Sequence, residues 1–306
     1  MKILVFGSEG MVGSSICRIF DQNSSYSKII KSNRKDTNLF DLDQTKKIIN
    51  DTRPEIIINA AARVGGIVAN NTYRTEFILD NLKINMNILE SIIPHNSLKL
   101  INLGSSCIYP LNADNPIKED YLMTGPLEPT NSPYAMAKLT AVEIGDSLNK
   151  QYGHQIVNLM PTNLYGINDN FDEQNSHVIP GLISRMHKAK TEIFNSFKVW
   201  GTGKPYREFL NVDDLSSAID FVIKNNISDN LLNVGSGYEI SISELVKKIQ
   251  KVINFKGKIE FDNTKPDGNP RKLLDSSKLF NYGWKPKIEL TQGIEQTYNW
   301  FIKNIN

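Results

Sequence analysis

Short apolar runs alternate with amphipathic stretches through the first half of the chain. The predicted elements are strand 3–6, helix 11–20, strand 29–31, helix 44–51, strand 56–60, helix 75–92, strand 98–103, helix 134–152 and strand 155–160. Continuous apolar strands that alternate with helices are typical of a parallel sheet covered on both faces. Residues 1–165 are therefore predicted to form a doubly wound, Rossmann-type α/β domain that binds a dinucleotide.

The pattern becomes less regular after Pro161. Residues 168–175 are polar and predict a loop, whereas residues 205–212 predict a strand. Amphipathic helices are expected at 178–189, 214–224, 241–253 and 291–305. We interpret residues 166–306 mainly as a smaller α/β lobe that binds substrate, with the chain returning to the first domain.

Composition narrows the class of protein. Lys and Arg number 35 against 33 Asp and Glu, so the net charge gives no reason to expect nucleic acid or an anionic membrane as partner. The two cysteines, Cys17 and Cys107, lie far apart and favour a reducing cytoplasm over a disulfide framework. The apolar run at 3–6 is too short for a signal peptide, and no window suits a membrane helix. We expect a soluble cytoplasmic protein without a metal site.

Three glycines follow the first predicted strand. Gly7, Gly10 and Gly13 have the spacing GxxGxxG and lead into the first helix, with Met11 and Val12 between the last two. A tight turn at this point lets backbone N–H groups and the helix N-terminus approach a pyrophosphate. Loops also carry glycines for turn geometry alone, so the position directly after a strand is what favours a nucleotide site.

The region after the second predicted strand bears on which nicotinamide cofactor binds. Residues 31–36 read Lys-Ser-Asn-Arg-Lys-Asp, and the basic Arg34 suits the 2′-phosphate of NADP(H) better than a ribose hydroxyl. A solvated surface loop is the alternative interpretation. Glu9 in the glycine turn opposes NADP(H), because a carboxylate near phosphates is unfavourable unless it points away. Further contacts with the adenosine half and the pyrophosphate are expected from Asp41, Leu42 and Ala61.

A tyrosine and a lysine four residues apart supply candidate chemistry. Tyr134 and Lys138 would share one face of a helix, where the ammonium lowers the pKa of the phenol and prepares it for proton exchange. Such a pair also arises by chance. Ser105 at the end of a predicted strand can hold a substrate oxygen, and the order of glycine turn, serine and Tyr–Lys pair favours a hydride-transferring reductase.

Motifs spread over nearly the whole chain resemble the GDP-L-fucose synthase family of extended short-chain reductases. The matching segments are 63–67, 104–110, 131–134, 161–166, 175–178, 200–203, 207–209 and 265–268. The resemblance implies a homodimer joined through a four-helix bundle that includes the Tyr–Lys helix. It also implies NADPH-dependent conversion of GDP-4-keto-6-deoxy-D-mannose to GDP-L-fucose, by epimerisation at C3 and C5 and reduction at C4.

The same resemblance implies roles for particular residues. Cys107 would be the base of the epimerisation and His177 the acid on the opposite face, although an isolated cysteine is more often a small buried hydrophobe. Pro161 and His177 join Tyr134 and Lys138 among the cofactor contacts. The substrate contacts implied are Asn163, Arg185, Trp200, Arg207 and Lys272. Plain core packing is the alternative for Trp200.

Alternative functions remain open at this stage. A related GDP-4-keto-sugar reductase, acting on a heptose without epimerising it, would carry much the same motifs. A non-catalytic NADP(H)-sensing regulator is disfavoured because Ser105, Tyr134 and Lys138 are all present. A sugar 4,6-dehydratase is also disfavoured. Enzymes of that class resemble this chain in layout but carry an acidic pair just after the catalytic Ser or Thr, where this chain has Ser106 and Cys107.

Overall fold

The computed structural model describes residues 1–173, 175–265 and 267–305. The strands are β1 (Lys2–Phe6), β2 (Lys28–Ser32), β3 (Ile56–Asn59), β4 (Lys99–Leu103), β5 (Gln155–Pro161), β6 (Asn163–Tyr165), β7 (Ser196–Trp200), β8 (Tyr206–Asn211), β9 (Leu231–Val234), β10 (Glu239–Ser241), β11 (Lys258–Asp262) and β12 (Arg271–Lys272). The helices are α1 (Met11–Phe20), α2 (Leu42–Thr52), α3 (Ile67–Thr72), α4 (Arg74–Ile92), α5 (Ser132–Tyr152), α6 (Val178–Thr191), α7 (Val212–Lys224), α8 (Ile242–Ile253), α9 (Ser277–Asn281) and α10 (Leu290–Asn304). Short 3₁₀ turns lie at Ser106–Ile108 and Glu119–Tyr121.

The central sheet confirms the predicted fold class. Within the described residues it has six parallel strands in the order β2-β1-β3-β4-β5-β9. Successive side chains of β1 enter different cores, because Ile3 and Val5 pack on the face covered by α1 and α7. Leu4 and Phe6 pack on the face covered by α4 and α5. Both faces are therefore buried, as a doubly wound Rossmann-type sheet requires.

A second lobe lies beyond this sheet and has more strands than expected. The sequence predicts a single strand after Pro161, at 205–212, whereas β6 to β12 all lie there without regular strand–helix alternation. Helices α6, α8 and α10 share a hydrophobic core with β7 and β11. β8 lies between β10 and β12 and also pairs with β6. Since β6 directly follows β5, the small sheet starts at the carboxyl edge of the large one.

A ladder of buried asparagines crosses the central sheet. Asn59 on β3 donates to Asn102 on β4 (3.0 Å), and Asn102 donates to Asn158 on β5 (3.0 Å). Asn59 also accepts from the backbone N–H of Ala61 (3.2 Å). Buried amides are favourable only when they are hydrogen-bonded, and here each fixes its neighbour. The ladder therefore fixes the start of the loop after β3.

Among the described residues, none of the helices combines the length and apolarity needed to cross a membrane.

Candidate active site

The first turn lies where the strand order of the sheet reverses. β1 is flanked by β2 on one side and β3 on the other, so the chain leaves its carboxyl end at a topological switch point. Open α/β sheets bind ligands in the crevice at such a point. The loops after β3 and β4 open on the same edge, which collects the glycine turn, Ala61 and Ser105 there.

The glycines of the turn are required for different reasons. Gly7 has φ +74°, and a Cβ there would lie 2.8 Å from the backbone of Ala61. A Cβ at Gly13 would lie 2.1 Å from the carbonyl oxygen of Gly7. Among the described residues, a Cβ at Gly10 would meet only that same oxygen, at 3.5 Å. The protein itself therefore excludes side chains at Gly7 and Gly13, whereas a side chain at Gly10 would fill space that faces outward.

The N-terminus of α1 suits a phosphate. Gly10 is the N-cap residue, and no side chain caps the first turn within the part of the chain described. The leading N–H groups, those of Met11 and Val12 among them, have no partner inside the helix and carry the positive end of its dipole. This uncapped helix end and the open side of Gly10 fit the pyrophosphate of a dinucleotide.

The side chain and backbone of Glu9 are both hydrogen-bonded to neighbouring asparagines. The Asn33 side chain donates to a Glu9 carboxylate oxygen (2.6 Å), and the Asn168 side chain donates to the Glu9 carbonyl oxygen (2.8 Å). Arg34 is exposed beside Asn33 and makes no hydrogen bond or ion pair with any described residue. Its guanidinium is thus available to a 2′-phosphate, while the carboxylate that opposes NADP(H) already has a donor.

The structure gives Asp41 a structural role. Its side chain is the N-cap of α2 and accepts from the backbone N–H (3.1 Å) and side-chain amide (3.0 Å) of Gln44. The backbone hydrogen bond lowers the pKa of Asp41. Leu42 is the first residue of that helix. Contact of Asp41 and Leu42 with adenine stays a prediction.

Ser105, Tyr134 and Lys138 meet where β4 faces α5. The Lys138 ammonium donates to the Leu103 carbonyl oxygen (2.7 Å) and lies 6.0 Å from the centroid of the Tyr134 ring. Burial lowers the pKa of Lys138 to about 8. Burial raises the pKa of Tyr134, nearby Cys107 raises it further, and a hydrogen bond with Ser105 opposes both. The pKa of Tyr134 is therefore raised overall and not lowered as expected, because desolvation outweighs the favourable charge of Lys138.

Cys107 is not a plain core residue. It lies half-buried on the 3₁₀ turn after β4, where its N–H donates to the Ser105 hydroxyl (3.2 Å). Its sulfur lies 3.5 Å from the side-chain nitrogen of Asn131 and 3.8 Å from the ammonium nitrogen of Lys272. Cys17, by contrast, is buried on α1, and burial raises its pKa to about 11.

His177 is tied to the loop that follows β3. It is the N-cap residue of α6, and the chain two residues earlier is fixed because the Gly66 N–H donates to the Asn175 carbonyl oxygen (3.0 Å). A Cβ at Gly66 would lie 2.7 Å from the Ser176 carbonyl oxygen. His177 is exposed, although protein atoms around its ring partly desolvate it and so lower its pKa. His177 is thus brought to the same edge of the sheet as Ser105 and Cys107.

Arg185 and Trp200 form one aromatic-cationic unit. The Arg185 guanidinium carbon lies 5.4 Å from the Phe197 ring centroid and 5.3 Å from that of Trp200. Trp200 is 54% exposed, so the core-packing interpretation is wrong. Burial lowers the pKa of Arg185 and of Arg207. A flat exposed indole beside a stacked guanidinium can bind a planar ring and an anion together.

Glu208, which the sequence did not single out, links several segments of the second lobe by hydrogen bonds. Its carboxylate is fully buried and accepts from the N–H groups of Gly237 (2.8 Å) and Leu274 (3.0 Å). Its carbonyl oxygen accepts from the side chain of Asn163 (2.8 Å), a predicted substrate contact. The only sequence signal is its place in the 207–209 motif. In the 265–268 motif, Pro266 lies outside the described residues.

Comparison with known proteins places this geometry in a family. The sequence profile described as the NAD dependent epimerase/dehydratase family matches residues 3–235. A putative GDP-L-fucose synthase 2 of Arabidopsis thaliana is 46% identical over 304 residues, which cover 99% of this chain and 92% of the relative. The GDP-L-fucose synthase of Escherichia coli (strain K12) is 43% identical over 312 residues, covering 99% and 97%. The chain belongs to the GDP-L-fucose synthase family.

Solved structures of similar proteins agree with this assignment. A GDP-L-fucose synthetase from Naegleria fowleri bound to NADP has a TM-score of 0.89 at 29% identity, covering 99% of this chain and 94% of that one. A GDP-6-OMe-4-keto-L-xylo-heptose reductase from C. jejuni has a TM-score of 0.91 at 30% identity, covering 99% and 97%. The resemblance to the GDP-L-fucose synthase family is therefore confirmed over the whole fold.

Proposed function

We propose that the protein is an NADP(H)-dependent epimerase and reductase that converts GDP-4-keto-6-deoxy-D-mannose to GDP-L-fucose. The observation that carries the proposal is the grouping of a polar-contacted thiol, Cys107, with Ser105 and Tyr134 at the carboxyl edge of the sheet. A reductase needs only the last two. The names of the relatives supply the nucleotide sugar.

The cofactor would lie along the glycine turn. The N–H groups at the start of α1 would receive the pyrophosphate, Arg34 the 2′-phosphate, and Ala61 and Pro161 would line the crevice on either side of Ser105. His177, Tyr134 and Lys138 would lie at the nicotinamide end. When bound, NADPH supplies a hydride. Arg34 is exposed and has no partner among the described residues, which supports NADP(H) over NAD.

The epimerisation uses the acidity that a C4 ketone gives to the C3 and C5 protons. The Cys107 thiolate takes the proton, an S–H bond forms as the C–H bond breaks, and the electron pair moves into an enolate with its charge on O4. Ser105 and Tyr134 face this oxygen and donate to it. His177 then returns a proton from the other face, and its lowered pKa makes its imidazolium a stronger acid.

The reduction uses Tyr134 as the acid. The raised pKa of Tyr134 keeps the phenol protonated, which is the form that must donate to O4 as C4 is reduced. Lys138 is buried behind it, and its positive charge stabilises the tyrosinate that the donation leaves. Ser105 holds O4 in line with the phenol.

The nucleotide would lie on the second lobe. The exposed Trp200 indole offers a stacking face for guanine, and Arg185 and Arg207 supply paired donors for the diphosphate. Near the sugar phosphate, the amide oxygen of Asn163 would accept from a sugar hydroxyl, because its amide nitrogen already donates to the Glu208 carbonyl oxygen. The proposal includes a cytoplasmic homodimer.

A GDP-4-keto-heptose reductase without epimerase activity is the second candidate, favoured by the fold of the C. jejuni reductase.

The test is incubation of the protein with NADPH and each GDP-4-keto-6-deoxy sugar, hexose or heptose, with products separated by ion-exchange chromatography. We expect GDP-L-fucose from the hexose, at a kcat/KM at least tenfold above that for the heptose. The matched variant C107S should bind NADPH normally and make no GDP-L-fucose. The reverse preference, or unaltered product from C107S, would overturn the proposal.

A further inference from the structure

We infer that Lys272 acts on Cys107, as the fixed positive charge that keeps the thiol in its thiolate form, and not mainly on the substrate diphosphate. The role of Cys107 as base rests on the proposed function, whereas the pairing of the two side chains does not. The family motif suggests a diphosphate contact for this lysine, and the geometry points elsewhere.

Two donors converge on the sulfur. The Lys272 ammonium nitrogen lies 3.8 Å from Cys107 Sγ, and the Asn131 side-chain nitrogen lies 3.5 Å from it. Among the described residues, no carboxylate lies within ion-pair distance of Lys272. Its neighbour Arg271 differs, because its guanidinium is paired with Glu239 at 2.8 Å. The charge of Lys272 is therefore directed at the thiol.

The backbone on both sides is held in place, so this approach is built into the fold. Lys272 pairs with Arg207 in the small sheet, and the two residues that follow it are fixed in turn. Leu273 donates to the Asn115 side chain (2.7 Å), and Leu274 donates to the buried Glu208 (3.0 Å). The Cys107 N–H is fixed by Ser105, so neither partner needs to move to meet the other.

This placement meets a need of the chemistry. An ordinary cysteine is only a few per cent thiolate at pH 7, and only the thiolate can take a proton from carbon. A nearby lysine ammonium favours the thiolate. When the C–H proton moves to sulfur, the negative charge moves to O4, and Lys272 keeps its own protons throughout. Lys272 is thus a positioning residue whose charge sets how much base is ready.

The direct test is alkylation of the free protein by iodoacetamide, followed by mass spectrometry. The chain has two cysteines, and Cys17 is buried, so the label reports Cys107, with C107S as the blank. We expect K272M and K272Q to be alkylated roughly tenfold more slowly at pH 7, with the pH profile moved upward. K272R should stay within about threefold of wild type, and R271M should match wild type. Equal rates in wild type and both neutral variants would overturn the inference.

A second readout separates the base from the diphosphate. With the nucleotide sugar in deuterated water, K272M should incorporate deuterium roughly tenfold more slowly at an unchanged KM, and K272R should restore it. A raised KM with unchanged kcat would assign Lys272 to the diphosphate and contradict the pairing. If wild type turns over no GDP-4-keto sugar and alkylation still depends on Lys272, the proposed function fails and the pairing stands.

Discussion

At the scale of single residues, the role proposed for Lys138 predicts how the reduction depends on pH. Its pKa of about 8 means that the ammonium is present below that pH and lost above it. Because the charge stabilises the tyrosinate formed by Tyr134, single-turnover reduction at C4 should fall as the pH rises through about 8. Stopped-flow NADPH absorbance would measure this. K138M should be roughly 100-fold slower and show no such fall. A wild-type rate that stays level up to pH 9.5 would exclude this role.

The sequence predicts which residues carry the chemistry better than it predicts what they touch. Ser105, Tyr134 and Lys138 follow from order and spacing, because neighbours on a helix or at a strand end are local features. The partner of Cys107 does not, since Lys272 lies 165 positions away. Likewise, the Glu9 carboxylate is unfavourable for NADP(H) in sequence, and only the fold shows that Asn33 binds it.

At the scale of an element, Gly10 and Gly13 at the start of α1 provide a matched pair of variants. G13A places a Cβ against the Gly7 carbonyl and should lower the free energy of unfolding by about 1–3 kcal/mol. G10A meets no close protein atom, so its stability should match wild type while its Kd for NADPH rises at least tenfold. Thermal unfolding and fluorescence titration measure the two effects. Tight NADPH binding by G10A would contradict the placement of the pyrophosphate.

Long elements were predictable and short strands were not. The helices that became α1, α4 and α5 show sustained patterns. α1 has its predicted bounds, α4 begins one residue earlier than predicted and α5 begins two residues earlier. β10 and β12 contain three and two residues, too few for a period to show. Their pairing with β8 is decided by distant segments. The role of Asn102 was similarly not predictable, because this amide interrupts the apolar part of β4 and its buried hydrogen-bond partners lie on neighbouring strands of the sheet.

At the scale of the whole molecule, the exposed apolar side of the α4–α5 pair is the surface through which we expect the homodimer to form. Leu79 and Met86 on α4 and Met136 on α5 are about half exposed, and the two helices pack against each other. A homodimer through this surface would bury them, within the roughly 1,600 Å² typical of a stable interface. M86E/M136E should therefore be monomeric by light scattering at concentrations where wild type is dimeric. I193E, which alters another exposed apolar residue, should remain dimeric. A monomeric wild type would contradict the assembly.

The overall architecture was predictable from alternating strands and helices, and the doubly wound sheet confirms it. The division into residues 1–165 and 166–306 stays a prediction. The hydrophobic pattern did not predict how the later half returns to the first domain. In the structure, β9 completes the central sheet beside β5, and α7 packs against α1. These contacts depend on which apolar faces of the sheet and helices are still uncovered, and this is known only from the folded structure.

The most direct test of the account is incubation with GDP-4-keto-6-deoxy-D-mannose and NADPH in deuterated water, with the product identified by NMR. Because the proposed base and acid, Cys107 and His177, would exchange protons with solvent, we expect GDP-L-fucose that carries deuterium at both C3 and C5. Oxidation of NADPH with no deuterium at either carbon and unchanged configuration would contradict it. The protein would then be a C4 reductase, and the GDP-heptose candidate would replace the proposed function.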